Sequence, residues 1–339
     1  MTDQPQQNSA NEGDPLSDVL ETIRLRGALF FLWEPTFPYT QAVANGRKLA
    51  PFVAKGADQV ISYHIVTEGP CWGAVNGEEP MRLETGDILL LPHGDAYAIA
   101  NEPHFPSPEA EEASVEFFRL MAAGELPAVI LGGGEGPEQN KLICGFLGCD
   151  MRPYNPLLGT LPRLIRLPAP KEPDDPLSSL IDFALSESAK DQGGERCLLL
   201  RLSELMFVQV LRRYLRSMPS NGSGWLDGLR DPVIGRALNL LHQQLARPWT
   251  LEQLGNKIGI SRSALAERFT QIVGEPPMQY LTRWRMQTAA QRLADGNSKV
   301  YAVAKEVGYD SEAAFSRAFK RATGITPKGW RDQRFIPPD

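Results

Sequence analysis

The sequence has few cysteines and no long apolar run, and each shortage excludes a class of protein. Four cysteines in 339 residues are too few for a disulfide framework. No run of about 18 apolar residues occurs, because even the apolar segment 197–211 carries Arg201 and Glu204. The polar, acidic start MTDQPQQNSANEGDP has neither the basic residues nor the apolar stretch of a secretory signal. We therefore expect a reduced, cytoplasmic protein.

Charge is unevenly distributed along the chain. The whole chain has 35 Lys and Arg against 41 Asp and Glu, a net charge of −6, which excludes a histone-like polycation. Residues 228–339 hold 17 basic and 10 acidic residues, whereas residues 1–227 hold 18 and 31. The basic C-terminal third, at +7 against −13 for the rest, indicates contact with an anion such as nucleic acid.

Composition and periodicity divide the chain into segments. Short apolar stretches between glycines and prolines predict strands, and later leucines at helical spacing predict two helices, at about 175–190 and 194–217. A stretch rich in Gly, Ser, Asn and Pro then predicts a linker. The predicted segments are a disordered tail over 1–14, a β-rich domain over 15–168, a helical dimerisation segment over 169–217, a linker over 218–228 and an all-helical domain over 229–339.

The strongest signal is an internal repeat in the basic third. The segment SRSALAERF at 261–269 matches SEAAFSRAF at 311–319. In each copy a glycine, Gly259 or Gly308, precedes the match, where it can end one helix, and the first serine can cap the next. The repeat predicts two helix-turn-helix units, at about 250–272 and 299–322, joined by a helix at about 277–295.

The second helix of each unit has two contrasting faces. Leu265 and Phe269 share one face of the first, and Phe315 and Phe319 share one face of the second. The opposite faces carry small, polar and basic residues, which suit the major groove of DNA. A plain bundle of capped helices is the alternative, and two matched copies on a basic segment disfavour it.

Residues from about 229 to 332 resemble the DNA-binding domain of AraC/XylS-type bacterial transcription regulators. The ending GYDSEAAFSRAFKRATGITPKGWR, residues 308–331, is similar to the C-terminal signature of that family. The resemblance implies seven helices, with two recognition helices in adjacent segments of the major groove. It implies a DNA-facing surface made of Arg262, Ser263, Ala266, Glu267, Glu312, Ala313, Ser316, Arg317 and Lys320.

Roles within this surface follow from position. The resemblance places Ser263, Ala266 and Glu267 at base edges in the first unit. It places Ala313, Ser316 and Arg317 there in the second. Arg262 and Lys320 are better candidates for phosphate contacts. Glu267 either accepts a hydrogen bond from a cytosine amino group or contacts nothing.

Residues 86–101, GDILLLPHGDAYAIAN, resemble the second conserved motif of cupins. Tyr97 stands where that motif has a metal-ligand histidine, and residues 51–58 contain no histidine for the upstream ligands. The resemblance implies a cupin-like β-barrel, or jelly roll, of the sensory type found in one branch of AraC-like regulators. Because His64, His93 and His104 are scattered, we expect no metal and no cofactor.

The cupin-like domain leaves two further questions open. Tyr63, His64, Trp72 and Tyr97 are candidates for an effector pocket, although core packing explains such residues at least as well. Cys71, Cys144 and Cys149 are either buried and inert or part of an oxidant or electrophile sensor. A sensor would need an exposed thiol with a lowered pKa.

Together these features predict a sequence-specific, DNA-binding transcription regulator that is not an enzyme. We expect a homodimer, formed through the middle helices, that responds to a small-molecule or redox signal. The resemblance implies activation, with RNA polymerase as a partner, more often than repression, and no residue decides between them. Two alternatives stay open: a metal-dependent cupin enzyme fused to a DNA-binding domain, and a constitutive DNA binder without an effector.

Overall fold

The chain folds into two units, which are described here from a computed structural model. The described residues are 14–22, 24–103, 109–169, 175–188, 190, 193–218, 222–296 and 298–334. The β unit comprises Arg24–Met151 and Leu161–Met218, and the helical unit comprises Met1–Ile23, Arg152–Thr160 and Pro219–Asp339. The first residues of the β-rich domain predicted over 15–168, and its internal segment Arg152–Thr160, therefore belong to the helical unit instead. Nearly all of the tail predicted over 1–14 lies outside the described residues.

Among the described residues of the β unit, ten strands form two sheets. The six-stranded sheet has the order β10-β6-β3-β9-β1-β8, and the four-stranded sheet has the order β2-β7-β4-β5. The strands are β1 (Arg26–Thr36), β2 (Thr40–Val43), β3 (Gln59–Glu68), β4 (Cys71–Val75), β5 (Met81–Leu83), β6 (Ile88–Leu91), β7 (Tyr97–Ala100), β8 (Val129–Gly133), β9 (Lys141–Cys149) and β10 (Ile165–Leu167). The β-rich N-terminal domain is confirmed and its two sheets are compatible with the predicted jelly roll, but within the described residues they do not close into the expected barrel.

Side chains of both sheets meet in one apolar core. Leu29 and Phe31 of β1, Leu142 of β9 and Tyr97 and Ile99 of β7 all belong to it. Successive side chains of a strand point to opposite faces, so only alternate residues of each strand enter this core. The other residues of the six-stranded sheet point away from this core, so another element must shield their apolar side chains from water.

A long helix covers the outer face of the six-stranded sheet. The structure has α4 (Pro176–Ser188) and α5 (Glu195–Ser217), which confirms the two helices predicted at about 175–190 and 194–217. The Tyr63 hydroxyl donates to Ser203 at 3.2 Å, and the ring of Phe207 lies 6.4 Å from that of Tyr63. The unit also contains α2 (Gly46–Val53) and α3 (Glu109–Ala123).

The helical unit contains the predicted helix-turn-helix repeat. Its helices are α1 (Pro15–Thr22), α6 (Trp225–Arg230), α7 (Ile234–Gln243), α8 (Leu251–Ile258), α9 (Arg262–Val273), α10 (Pro277–Ala294), α11 (Val300–Glu306), α12 (Glu312–Thr323) and α13 (Pro327–Arg334). Seven of them, α7 to α13, lie in the described part of 229–339, as the resemblance implied. The linker predicted over 218–228 is too long, because the buried Trp225 begins α6.

Local signals set the limits of the recognition helices. Gly259 and Gly308 both have φ of +82°, a conformation that side chains with a Cβ rarely adopt. The Ser261 hydroxyl accepts from the amide of Ala264 at 3.2 Å, and the Ser311 hydroxyl accepts from that of Ala314 at 3.1 Å. The same turn chemistry therefore begins α9 and α12.

None of the helices within the described residues is both long and apolar enough to cross a membrane.

The pairing of β3 with β9 predicts one position that cannot accept a side chain. A Cβ on Gly145 would lie 2.2 Å from the ring of Tyr63, its partner across the strands. We expect Gly145→Ala to lower the free energy of unfolding by roughly 1–3 kcal/mol, because the buried ring cannot move away without strain. Chemical denaturation of the full chain measures this change. Gly132→Ala is the control, since its Cβ would meet nothing within 4 Å, and an equal loss there would contradict the prediction.

Candidate DNA interface and effector cavity

The recognition helices α9 and α12 present the predicted surface to solvent. Their apolar anchors Leu265, Phe269, Phe315 and Phe319 are fully buried. Of the predicted DNA-facing residues, two are half-buried, Ala266 and Ser316. The others are exposed: Arg262, Ser263, Glu267, Glu312, Ala313, Arg317 and Lys320. The orientation deduced from the sequence thus matches the packing, and DNA contact by these residues stays a prediction.

The basic residues of these helices differ in how they are engaged. Arg268 of α9 donates to Asp231 at 2.7 Å, so it holds α9 to the turn before α7. Within the described part of the chain, Arg262, Arg317 and Lys320 form no ion pair with an acidic side chain. Their charges therefore remain available to phosphates and base edges.

A buried polar network fixes the first helix-turn-helix unit on α10. The Tyr280 hydroxyl accepts from the indole nitrogen of Trp225 at 2.8 Å and lies 2.7 Å from Nε2 of His242. His242 stacks on Trp284 with ring centres 4.4 Å apart, and its Nδ1 lies 3.2 Å from a carboxylate oxygen of Asp18. Burial lowers the pKa of His242, and its contact with Asp18 opposes that shift.

The segment Arg152–Thr160 also belongs to this unit, through Tyr154. The backbone amide of Tyr154 donates to the Gln287 side chain at 2.9 Å, and its hydroxyl donates to Glu275 at 2.9 Å. The guanidinium of Arg283 lies 4.1 Å from the centre of its ring. These contacts fix α10, and the turn before it, against the segment Arg152–Thr160. The sequence did not predict this interaction.

The β unit contains a cavity of about 800 Å³. It is partly open to solvent and lined mostly by apolar and aromatic side chains from both sheets and from α3. The lining residues are Phe31, Trp33, Pro38, Tyr39, Thr40, Gln41, Val43, His64, Ile99, Phe117, Phe118, Leu126, Pro127, Val129, Ile130, Leu131, Gly132, Gly133, Cys144 and Phe146. Such a cavity has the size and composition of a small-molecule site.

His64 is the polar centre of this cavity. Its Nε2 lies 2.5 Å from the Tyr97 hydroxyl, and its Nδ1 lies 3.2 Å from the sulfur of Cys144. Burial lowers the pKa of His64 to about 3 and raises that of the Cys144 thiol. Both side chains are therefore uncharged at neutral pH.

Only one of the four predicted pocket residues lines the cavity. His64 does, whereas Tyr63 is adjacent to it in β3 and therefore points to the opposite face, toward α5. Tyr97 contacts His64 without lining the cavity, and Trp72 is not among the lining residues. Strand alternation could have shown that Tyr63 and His64 do not share a pocket. Most of the remaining lining residues come from segments that carry no recognisable motif.

Of the two alternatives left open for the three cysteines of the β unit, the structure favours buried and inert thiols over a redox sensor. Cys71, Cys144 and Cys149 are all buried. Burial raises the pKa of Cys71 to about 12 and raises those of Cys144 and Cys149 as well. Since the thiolate is the reactive form, these thiols lack both the access and the ionisation that a sensor needs. Among the described cysteines, the exposed one is Cys197, which the sequence had not singled out.

Among the described residues, no group of three or more His, Cys, Asp or Glu side chains could hold a metal ion. His93 has a structural contact instead, with Nε2 2.8 Å from the carbonyl oxygen of Leu161. His104 lies outside the described residues.

Comparison with known proteins finds two family profiles in the chain. The family described as Cupin matches residues 14–216, and a helix-turn-helix domain family matches residues 254–333. An AraC-like transcription regulator of Streptomyces lividans is 35% identical, covering 96% of this chain and all of that protein. One from Streptomyces antibioticus is 33% identical, covering 94% and 98%. The transcriptional regulator AlkR of Acinetobacter baylyi is 29% identical, covering 82% and 89%.

The buried imidazole of His64 predicts a pH dependence of stability. Its pKa is about 3 in the folded chain against 6.5 for an ordinary histidine, so below pH 6.5 the unfolded chain binds a proton that the folded chain does not. The free energy of unfolding should therefore fall with falling pH, at up to about 1.4 kcal/mol per pH unit.

Replacing His64 isolates this contribution. We expect His64→Gln to reduce the fall in stability between pH 6.5 and 4.5, because glutamine does not titrate there. Urea unfolding of both proteins at several pH values measures the difference. An unchanged slope in the variant would show that His64 is protonated in the folded chain or that the imidazole is exposed.

Proposed function

The chain belongs to the AraC-like family of transcription regulators, with an N-terminal cupin domain and a C-terminal helix-turn-helix domain, and from that premise we propose how it works. Its helices α9 and α12 bind specific duplex DNA, and occupancy of the cavity in the β unit controls that binding. The observation that carries the proposal is the pair of matched, serine-capped helices that turn their polar faces to solvent.

Each recognition helix contacts both base edges and phosphates in this proposal. We propose base-edge contacts for Ser263, Ala266 and Glu267 on α9, and for Ala313, Ser316 and Arg317 on α12. Arg262 and Lys320 contact phosphates, and Glu312 lies at the N-terminus of α12 on the same surface. Helix α10 has 18 residues and is roughly 27 Å long, which suits two recognition helices in neighbouring major-groove segments.

We further propose that the chain has no enzymatic activity and acts in the cytoplasm, where a regulator reaches chromosomal DNA. An activator would have RNA polymerase as a further partner. A metal-dependent cupin enzyme would need a ligand set, and Tyr97 occupies the position of one expected histidine. A constitutive DNA binder would show the same DNA affinity whether or not the cavity is occupied.

A homodimer through α4 and α5 fits the exposed apolar residues of these helices. Leu198 and Leu205 are seven residues apart on α5, so they lie on one face two turns apart, and Phe183 of α4 is exposed as well. Large apolar side chains at the surface indicate an interface when they cluster. Two linked copies would bind DNA bivalently.

The proposed base contact is tested by Arg317→Ala. If the guanidinium donates to a base edge, its loss costs roughly 1–3 kcal/mol of binding and relaxes the preference at one base pair. Full-length protein and duplexes selected from a random library provide the assay. Unchanged affinity and unchanged preference would show that α12 is oriented differently on DNA.

The proposed phosphate contact is tested by Lys320→Ala. The variant should bind all duplexes more weakly by a similar factor, and the slope of log affinity against log salt should fall by about one. Lys190→Ala, an exposed lysine of the β unit, is the matched control and should change neither quantity. A preference altered at one base pair would instead indicate base contact by Lys320.

The proposed dimer is tested by Leu205→Arg. A charge at the interface should raise the dimer dissociation constant at least tenfold, about 1.4 kcal/mol, because the guanidinium would lose water without a partner. Sedimentation velocity of the full chain measures this. Phe52→Arg replaces a similarly exposed apolar residue on α2 and serves as the control. Equal effects of both variants, or a monomeric wild type at micromolar concentration, would contradict the dimer through α5.

A further inference from the structure

We infer that the cavity of the β unit binds an uncharged, mostly apolar small molecule with one or two polar groups. This inference rests on the proposed function, in which that cavity receives the effector. Its volume of about 800 Å³ falls in the range of roughly 300–1,000 Å³ that is usual for small-molecule pockets.

Aromatic rings form much of the cavity wall. Phe31 and Phe146 are stacked with centres 5.7 Å apart, and Phe117 meets Phe31 edge-on at 5.8 Å. Trp33 meets Tyr39 edge-on at 5.1 Å. These rings hold one another in place, so they form a preformed apolar surface on which a ring or an alkyl chain can pack.

The described lining residues include no Asp, Glu, Lys or Arg. The titratable groups of the wall, Tyr39, His64 and Cys144, are neutral because burial shifts the pKa of each away from ionisation. A carboxylate, phosphate or ammonium group would therefore lose its hydration without meeting an opposite charge. An ionic group buried against this wall is disfavoured on this ground.

The polar groups of the wall are largely engaged with the protein. The Tyr39 hydroxyl donates to Asn140 at 2.6 Å, and the side-chain amide of Gln41 donates to the carbonyl oxygen of Ala42 at 2.8 Å. Both ring nitrogens of His64 have protein partners. A sugar would lose more hydrogen bonds to water than this wall could replace, whereas a molecule with one hydroxyl would not.

Four probes of graded polarity test the ligand class on the full chain. They are biphenyl-4-ylmethanol, biphenyl-4-carboxylate, biphenyl-4-ylmethylammonium and glucose. By isothermal titration calorimetry at neutral pH, we expect the alcohol to bind at least tenfold more tightly than either ion, about 1.4 kcal/mol. The alcohol should also show a negative heat-capacity change, and glucose should not bind.

Two apolar residues of the β unit provide a pair of variants, one at the cavity and one away from it. Ile130 lines the cavity, whereas Phe52 of α2 is 42% exposed and is not among the lining residues. Ile130→Lys should weaken binding of the alcohol about tenfold and reduce its advantage over the carboxylate, because it brings a cation to the wall. Phe52→Lys should leave both affinities unchanged. Thermal melting and DNA binding show that each variant folds.

The outcomes separate this inference from the proposed function. An ion or glucose that binds as tightly as the alcohol, an alcohol that does not bind, or two lysine variants that act alike would overturn the inferred ligand class. An alcohol that binds without changing DNA affinity would overturn the proposed control and leave the ligand class intact. If DNA binding responds to a charged metabolite while the alcohol does not bind, the inferred ligand class is overturned and the proposed control of DNA binding is kept.

Discussion

Both recognition helices depend on the packing of α10. At its first turns, Tyr280 meets Phe269 of α9 edge-on at 5.8 Å and holds the indole of Trp225 by a hydrogen bond. Further along, Met286, Ala289, Ala290 and Leu293 share a core with Phe315 and Phe319 of α12. The indole of Trp330 donates to the carbonyl oxygen of Ala290 at 3.0 Å, which ties α13 to the same helix. One helix therefore sets the distance between the two DNA-contacting surfaces.

Local signals in the sequence predicted the helical unit well, whereas the cavity depends on contacts distant in sequence. Glycines with positive φ and serine caps act within a few residues, so the two turns and the recognition helices could be placed from the sequence. The cavity joins β1, β9 and α3, and no motif marks these segments. Phe117 and Phe118 of α3 were missed for this reason. Tyr63 was a pocket candidate beside the core-packing alternative, and it packs toward α5.

Burial explains two properties of the β unit that the sequence left open. Cys144 was a candidate for a redox signal, and His64 was a candidate for ligand recognition. The two side chains lie against each other. Removal from water keeps the thiol protonated and the imidazole neutral, so the same environment disfavours oxidation chemistry and favours an uncharged guest. The chemistry of this site is therefore set by the surrounding apolar rings more than by its polar residues.

The helical unit is discontinuous along the chain. Its Tyr154 lies between β9 and β10, yet its partners Glu275, Arg283 and Gln287 follow more than a hundred residues later. A chimera that exchanges only the C-terminal third between two relatives would pair these partners with a foreign middle segment. Hybrid regulators should instead take residues 14–23 and 152–160 from the same parent as residues 219–339, so that four junctions, not one, define an interchangeable DNA-binding module.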